Sequence, residues 1–354
     1  MYGSSLLRVC AAASALTLAA CSNTTTPTVV PPPVPVTPDP PKITCPASQS
    51  AQSPDGGATP VTFTAPTVVN GQQPVATICT PAAGSMFTVG QKTVTCTATD
   101  ALQRSASCSF LVTVADAPRL FTTSFLSFGD SITAGEDGQN SIAPSASLMS
   151  SRFHPSVLFP LSLQYPEELR RSLVNRYKVQ TPTVKNAGVP GEAASDLATL
   201  TRFRALTATR QYAVVLIMEG TNDLYDRDAR VFPFAYDALR AMIRNAKGLG
   251  MRPYLATIPP MDPTKCVPVC RGLPWSLVAG FNDGVRTIAQ TEGVTLVDVY
   301  QGFGGDVSLL GPDGLHPAEA GYQKIADLFF ASIKQTLEVP TASGIRTLQR
   351  SSPP

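Results

Sequence analysis

Phe125-Leu126-Ser127-Phe128-Gly129-Asp130-Ser131-Ile132-Thr133 is an apolar, strand-forming run that ends on a glycine and delivers a serine into the turn behind it. Gly129 permits a close approach there. The backbone N–H groups of such a turn can face a developing oxyanion. The same grammar repeats downstream. Strand-like runs at Val184–Asn186, Tyr212–Met218, Arg252–Ile258 and Thr295–Asp298 alternate with helix-like stretches. The helical stretches are Leu163–Leu173, Ser195–Ala205, Phe232–Lys247, Trp275–Gln290 and Pro317–Lys334. Apolar strands alternating with amphipathic helices predict an α/β domain, a mostly parallel sheet covered on both faces. In such folds ligands bind at the carboxyl ends of the strands.

Three further polar clusters fall at those ends or in the final loop. Asn186-Ala187-Gly188 follows one strand, and Gly188 can offer an unobstructed N–H. Gly220-Thr221-Asn222-Asp223 follows the apolar run Val214–Met218, and the Asn222 amide can donate to an oxyanion from the side opposite the backbone donors. Asp313-Gly314-Leu315-His316-Pro317 precedes the last helix. Its three-residue spacing lets one turn hold a carboxylate beside an imidazole. Asp313 can then fix the tautomer of His316 while the other ring nitrogen faces Ser131. Asp130 and Asp223 read as structural hydrogen-bonding residues.

Together FGDSIT, NAG, GTND and DGLHP, in this order, strongly resemble the GDSL esterases, also called SGNH hydrolases. The resemblance spans residues 123 to 335. It implies a three-layer flavodoxin-like fold and ester hydrolysis through an acyl-enzyme, with no metal or organic cofactor. It implies Ser131, His316 and Asp313 as catalytic residues, and Ser131, Gly188 and Asn222 as the oxyanion hole. Pro190 stands where a small residue such as serine is common in relatives.

The chain has two histidines. His154 sits in the long segment from Ala134 to Pro160, without an acid at a suitable spacing, and is not expected to be catalytic. A connection of that length suits a lid or pocket wall. Leu148, Phe153, Leu158 and Phe159 either line an acyl site or pack beneath the loop. Cys266 and Cys270 bracket a short loop and are expected to pair.

Upstream the composition changes. Residues 1–21 carry Arg8, then an apolar stretch too short to span a membrane, then Leu18-Ala19-Ala20-Cys21. This end resembles a bacterial lipobox and implies cleavage before Cys21 and its lipidation. Ser22 rather than Asp follows, which by the same resemblance suits an outer-membrane anchor facing the periplasm or cell surface. Residues 22–42 form a linker in which eight of the fifteen residues 27–41 are proline. Such a run favours polyproline II, a stiff spacer of about 3.1 Å per residue.

Residues 43–115 hold four charges, Asp55, Lys92, Asp100 and Arg104, and four cysteines, Cys45, Cys79, Cys96 and Cys108. Runs rich in β-branched residues at Thr59–Thr64, Val75–Thr80, Lys92–Thr99 and Ala106–Val114 predict a small antiparallel sandwich. A core this small makes two disulfides physically sensible, in any of three pairings. The segment Gly84–Val114 resembles the immunoglobulin-like hyalin repeat (HYR) and implies the pairs Cys45–Cys108 and Cys79–Cys96. It departs from that family at Leu102-Gln103, where Gly-Asn is more usual. With Cys10 in the signal and Cys21 lipidated, three disulfides use every other cysteine.

Residues 121–337 thus carry the chemistry, and 338–354 form a polar, frayed tail. Expected partners are an ester substrate, either an acyl lipid or an acetylated glycan, and a membrane lipid anchor. Oligomeric state is left open. An O-acetyl polysaccharide esterase would use the same residues; a non-enzymatic adhesion protein is the competing class. Net charge is +2 with no basic block, which argues against a nucleic-acid partner.

Overall fold

A computed structural model describes residues 37–138, 157–226, 228–265 and 275–340. Cys10, Cys21, Leu148, Phe153, His154, Cys266 and Cys270 lie outside the described residues, as do the lipobox and most of the proline-rich linker.

The first domain contains β1 (Lys42–Thr44), β2 (Gln49–Gln52), β3 (Thr59–Pro60), β4 (Thr67–Val69), β5 (Ala76–Thr80), β6 (Met86–Phe87), β7 (Gly90–Thr99) and β8 (Ser105–Ala115). Its main sheet has the order β2-β8-β7-β5, flanked by the pairs β1-β4 and β3-β6. Alternation sets the register of β7 against β8. Val94, Cys96, Phe110, Val112 and Val114 point into the core. On the other face Thr95, Thr97 and Thr99 bond the hydroxyls of Ser109, Ser107 and Ser105 at 3.0, 2.8 and 2.9 Å. The domain is not wholly antiparallel as expected, because β2 runs parallel to β8. Of the expected Thr59–Thr64 strand, Thr59 and Pro60 pair with β6 and Val61 bonds on to Ser85 and Gly84, beyond which the segment is not a strand. The disulfides are Cys45–Cys108 and Cys79–Cys96, as the resemblance implied. Cross-links closing loops of this kind typically contribute about 2–4 kcal/mol each.

β9 (Arg119–Leu120) leads into the second domain. There β10 (Ser124–Gly129), β11 (Thr183–Gly188), β12 (Val214–Met218), β13 (Arg252–Ala256) and β14 (Thr295–Val297) form one parallel sheet in the order β11-β10-β12-β13-β14. Among the described residues seven α-helices accompany it: α1 (Ser131–Ala134), α2 (Tyr165–Arg176), α3 (Leu197–Ala208), α4 (Phe232–Gly248), α5 (Trp275–Glu292), α6 (Val299–Phe303) and α7 (Glu319–Leu337). Every residue of β12 is buried, which explains its unbroken apolar reading. Val214, Leu216 and Met218 pack with Tyr165, Leu169 and Phe329 of α2 and α7. Val215 and Ile217 face Leu239, Ile243 and Val285 of α4 and α5 on the opposite side. This three-layer arrangement is the flavodoxin-like order, whose switch point lies between β10 and β12.

The body closes with β15 (Glu338–Val339), which pairs with β9. Arg176 Nε donates to Glu338 Oε2 at 2.6 Å and the Tyr177 hydroxyl to the same oxygen at 2.8 Å. The expected tail from residue 338 therefore begins two residues too early. Lys42, assigned to the linker, is likewise already in β1. Phe159 packs against Tyr322 of α7, with ring centroids 5.7 Å apart and near-perpendicular planes, and so joins the core on that side of the sheet.

Candidate active site

Ser131 follows the carboxyl end of β10 as the first residue of α1. Asp130 caps that helix, with Oδ1 accepting the Ile132 N–H at 2.9 Å. Ser131 Oγ lies 2.8 Å from His316 Nε2, though 185 residues separate them. His316 Nδ1 lies 2.6 Å from Asp313 Oδ2. The other oxygen of Asp313 accepts the N–H groups of Leu315 at 3.0 Å and His316 at 2.9 Å, so its own turn aims it. Burial pushes the Asp313 carboxyl up. The hydrogen bond and charge of His316, with the two N–H donors, outweigh that and hold it at about 2. An ionised Asp313 accepts the hydrogen bond of the Nδ1–H, which keeps the proton on Nδ1 and leaves the Nε2 lone pair facing the serine hydroxyl. The three residues that the DGLHP and FGDSIT motifs nominated are therefore assembled, in the sense a hydrolytic triad requires.

Glu136 enters the same site. It is buried, and its Oε2 lies 3.4 Å from His316 Nε2. In the sequence, one glutamate after a short motif carries no pattern of its own.

The oxyanion side departs from expectation at Gly188. Its N–H donates to Asn186 Oδ1 at 2.9 Å and is not available to a substrate. Gly188 serves packing instead: a Cβ there would stand 2.1 Å from the Ala134 nitrogen. The turn that follows carries the alternative. Glu192 N–H returns to the Val189 carbonyl at 3.3 Å, with Pro190 and Gly191 between them and Gly191 at φ 78°. Proline then glycine at positive φ fits a type II turn, whose central amide stands across the turn and outside its own hydrogen bond. Asn222 Nδ2 donates to the Glu192 carbonyl at 2.8 Å, which seats the asparagine against this turn. The Pro-Gly pair was the signal in the sequence.

Arg202 of α3 locks the arrangement. Its Nε donates to Glu192 Oε1 at 2.9 Å and its Nη1 to the Ala187 carbonyl at 2.8 Å. The guanidinium lies 4.0 Å over the Phe128 ring. Asp223 accepts the N–H groups of Ala194 at 2.7 Å and Ser195 at 2.9 Å. Asp130 and Asp223 thus both do the structural work expected of them.

Behind the nucleophile lies an acidic interior. Glu219 is fully buried, and neither of its carboxylate oxygens hydrogen-bonds to the described residues; nor do Asp130 Oδ2 and Thr221 Oγ1. Burial raises Asp130 to about 6, against the opposing Ile132 N–H and the charge of His316. Burial raises Glu219 well above its ordinary range; Asp130, Glu192 and Asp223 add to the rise and Arg202 opposes it. Among the described residues no three His, Cys, Asp or Glu side chains are grouped so as to hold a metal ion.

The model of the GDSL-like lipase/acylhydrolase family matches residues 127–324. That of the HYR domain matches residues 36–114. No curated protein sequence matches the chain. Solved structures that it resembles include a lipase/acylhydrolase from Enterococcus faecalis, at 22% identity over 62% of this chain and 100% of that one, TM-score 0.47. The aryl esterase of M. smegmatis is 18% identical over 61% of this chain and 100% of that one, TM-score 0.47. The acetylxylan esterase Axe2 from Geobacillus stearothermophilus is 21% identical over 59% of this chain and 93% of that one, TM-score 0.44. With motifs, fold and assembled residues in agreement with the family match, the chain belongs to the GDSL-like lipase/acylhydrolase family and is a carboxylic ester hydrolase behind an HYR domain.

Proposed function

We propose that this protein hydrolyses carboxylic esters through an acyl-enzyme on Ser131. The observation that carries the reading is the unbroken hydrogen-bonded line Asp313–His316–Ser131, at 2.6 and 2.8 Å. His316 Nε2 takes the hydroxyl proton as Ser131 Oγ attacks the ester carbon. The tetrahedral oxyanion is held by the Ser131 N–H, the Gly191 N–H in place of Gly188, and the Asn222 carboxamide. His316 then gives its proton to the departing alcohol. Water, deprotonated by the same imidazole, attacks the acyl-enzyme and releases the acid. Removing one oxyanion donor typically costs about 3 kcal/mol in the barrier. Steady-state hydrolysis of p-nitrophenyl acetate, butyrate and octanoate tests this reading. Turnover that EDTA leaves intact and that a serine-directed phosphonate abolishes stoichiometrically supports it. A full complement of phosphonate on another residue, with turnover lost, contradicts it.

We infer that the protein is an exported lipoprotein of the outer membrane, anchored through Cys21 and held off the surface by the proline-rich residues 22–42. Support comes from Leu18-Ala19-Ala20-Cys21 after a short apolar stretch, and from the folded HYR domain beginning directly behind the spacer. The HYR domain acts as a further spacer. Labelling with an alkyne fatty acid tests the anchor: wild type should be labelled and Cys21→Ala should not.

A further inference from the structure

Two buried carboxyl groups stand side by side behind the nucleophile. β10 and β12 are neighbours in the sheet, with Phe128 opposite Ile217 and Gly129 opposite Met218. Phe128 and Ile217 pack in one core layer and Met218 in the other. Side chains alternate along a strand. The next residue of each, Asp130 and Glu219, therefore turns to the layer of Phe128 and Ile217, across a strand spacing of about 4.8 Å. Asp130 still has extended backbone there, at φ −87° and ψ −151°. Both residues are closed off from solvent.

The other charged groups around them are already committed. Asp223 accepts the Ala194 and Ser195 N–H groups. Glu192 is paired with Arg202. His316 is bound to Asp313 and Ser131. Asp130 Oδ1 holds the Ile132 N–H. This leaves Asp130 Oδ2 and both oxygens of Glu219, none of which hydrogen-bonds to the described residues. Two ionised carboxylates so placed would repel each other, and the guanidinium on that side is spent on Glu192. One proton removes the conflict. Glu219 accepts no N–H, so it is the member that keeps the proton, and its O–H is the one donor the pair can supply. Thr221 Oγ1, also unpartnered, is a neutral acceptor. Asp130 Oδ2 is a charged one, and the charge-assisted bond is the stronger.

We propose that Glu219 and Asp130 share one proton, with the Glu219 O–H donating to Asp130 Oδ2, and that Glu219 is thereby a positioning residue for the nucleophile. Asp130 is the N-cap of α1, and Ser131 is the first residue of that helix. Fastening the second oxygen of Asp130 fixes the carboxylate that holds the turn. It thereby fixes the direction of Ser131 Oγ toward His316 Nε2. Burial and the charges of Asp130, Glu192 and Asp223 all favour protonated Glu219, against Arg202. The role in catalysis rests on the ester-hydrolase reading above; the shared proton does not.

The full-length protein tests both. The infrared spectrum of wild type at neutral pH, less that of Glu219→Gln, should show the carbonyl stretch of a protonated carboxylic acid. Kinetics on p-nitrophenyl acetate then compare three variants. Glu219→Gln keeps an N–H donor toward Asp130. Glu219→Met keeps the length and loses the donor. Asp130→Ser keeps a capping oxygen and loses the second one. In the methionine and serine variants kcat should fall about tenfold below that of the glutamine variant, with KM changed by less than about twofold. Absence of the carboxylic-acid band overturns the shared proton, and that reading needs no turnover. Equal kcat in all three variants, or a loss confined to KM, overturns the positioning role. Wild type that shows the band but no phosphonate-sensitive turnover refutes the ester-hydrolase reading, and the positioning role with it, while the shared proton stands.

Discussion

Glu136 Oε2 lies 3.4 Å from His316 Nε2, so the nitrogen that receives the Ser131 proton has a buried carboxylate at its flank. During acyl transfer the imidazole becomes imidazolium, and a nearby carboxylate in a low-dielectric site stabilises that charge. Glu136→Gln should therefore lower kcat about tenfold, or roughly 1.4 kcal/mol, with little effect on KM. Steady-state kinetics on p-nitrophenyl acetate check this, and an unchanged kcat would show that Glu136 only fills space.

The chain of contacts from Arg202 through Glu192 to Asn222 gives a graded expectation. Asn222→Ala removes an oxyanion donor and should cost about 100-fold in kcat. Arg202→Ala leaves the donor in place but frees the backbone that seats it. Its kcat should fall less, by about tenfold. The double variant should be little worse than Asn222→Ala alone, since both changes act on one group. Fully additive losses would disconnect Arg202 from the oxyanion side.

Glu219 ties stability to pH. Its folded-state pKa is raised above the ordinary value of 4.5, chiefly by burial. The folded protein keeps a proton that the unfolded chain releases, so stability falls as pH rises above 4.5 until Glu219 itself ionises. Asp130, raised to about 6, acts in the same direction from its ordinary 3.8. Glu219→Gln cannot ionise and should gain on wild type as pH rises from about 4 to 8, by on the order of 1 kcal/mol. Calorimetric melting curves across that range measure the gap, and a gap that shrinks with pH contradicts the assignment.

In the HYR domain, Gln103 occupies the left-handed region at φ 60°, in the turn held by Asp100. Asp100 Oδ1 accepts the Leu102 and Arg104 N–H groups, each at 3.0 Å. A non-glycine residue in that conformation costs about 1–2 kcal/mol, part of which glycine returns as lost chain entropy. Gln103→Gly should stabilise the domain by about 0.5–1 kcal/mol in denaturant titrations. A loss of stability would mean that the Gln103 side chain contributes more than its backbone strain costs.

The parts legible from sequence were those set by local chemistry. The strand runs ending at Gly129 and Met218 were found within two residues, because buried parallel strands read as unbroken apolar segments. The DGLHP spacing placed Asp313 beside His316 because both sit in one turn. The choice between Gly188 and Gly191 was different in kind. It depends on Gly188 abutting Thr133 and Ala134, a tertiary contact with no local signature. Glu219 was missed because a glutamate after an apolar strand reads as its solvated end; only the fold buries it. The parallel pairing of β2 and the closure of β15 on β9 are likewise long-range events. The Leu102-Gln103 departure from the HYR pattern, visible in the sequence, marked the turn where the structure puts positive φ on glutamine.

Ser131 is placed to act as the nucleophile and His316 as its base. Hydrolysis of p-nitrophenyl acetate by wild type and Ser131→Ala, with mass spectrometry of acid-quenched protein, tests it most directly. Wild type should give an acetylated peptide containing Ser131, the variant none, and kcat should fall by at least about 1,000-fold. Retention by Ser131→Ala of more than about a tenth of wild-type turnover, or acetyl on another residue with undiminished turnover, would contradict it.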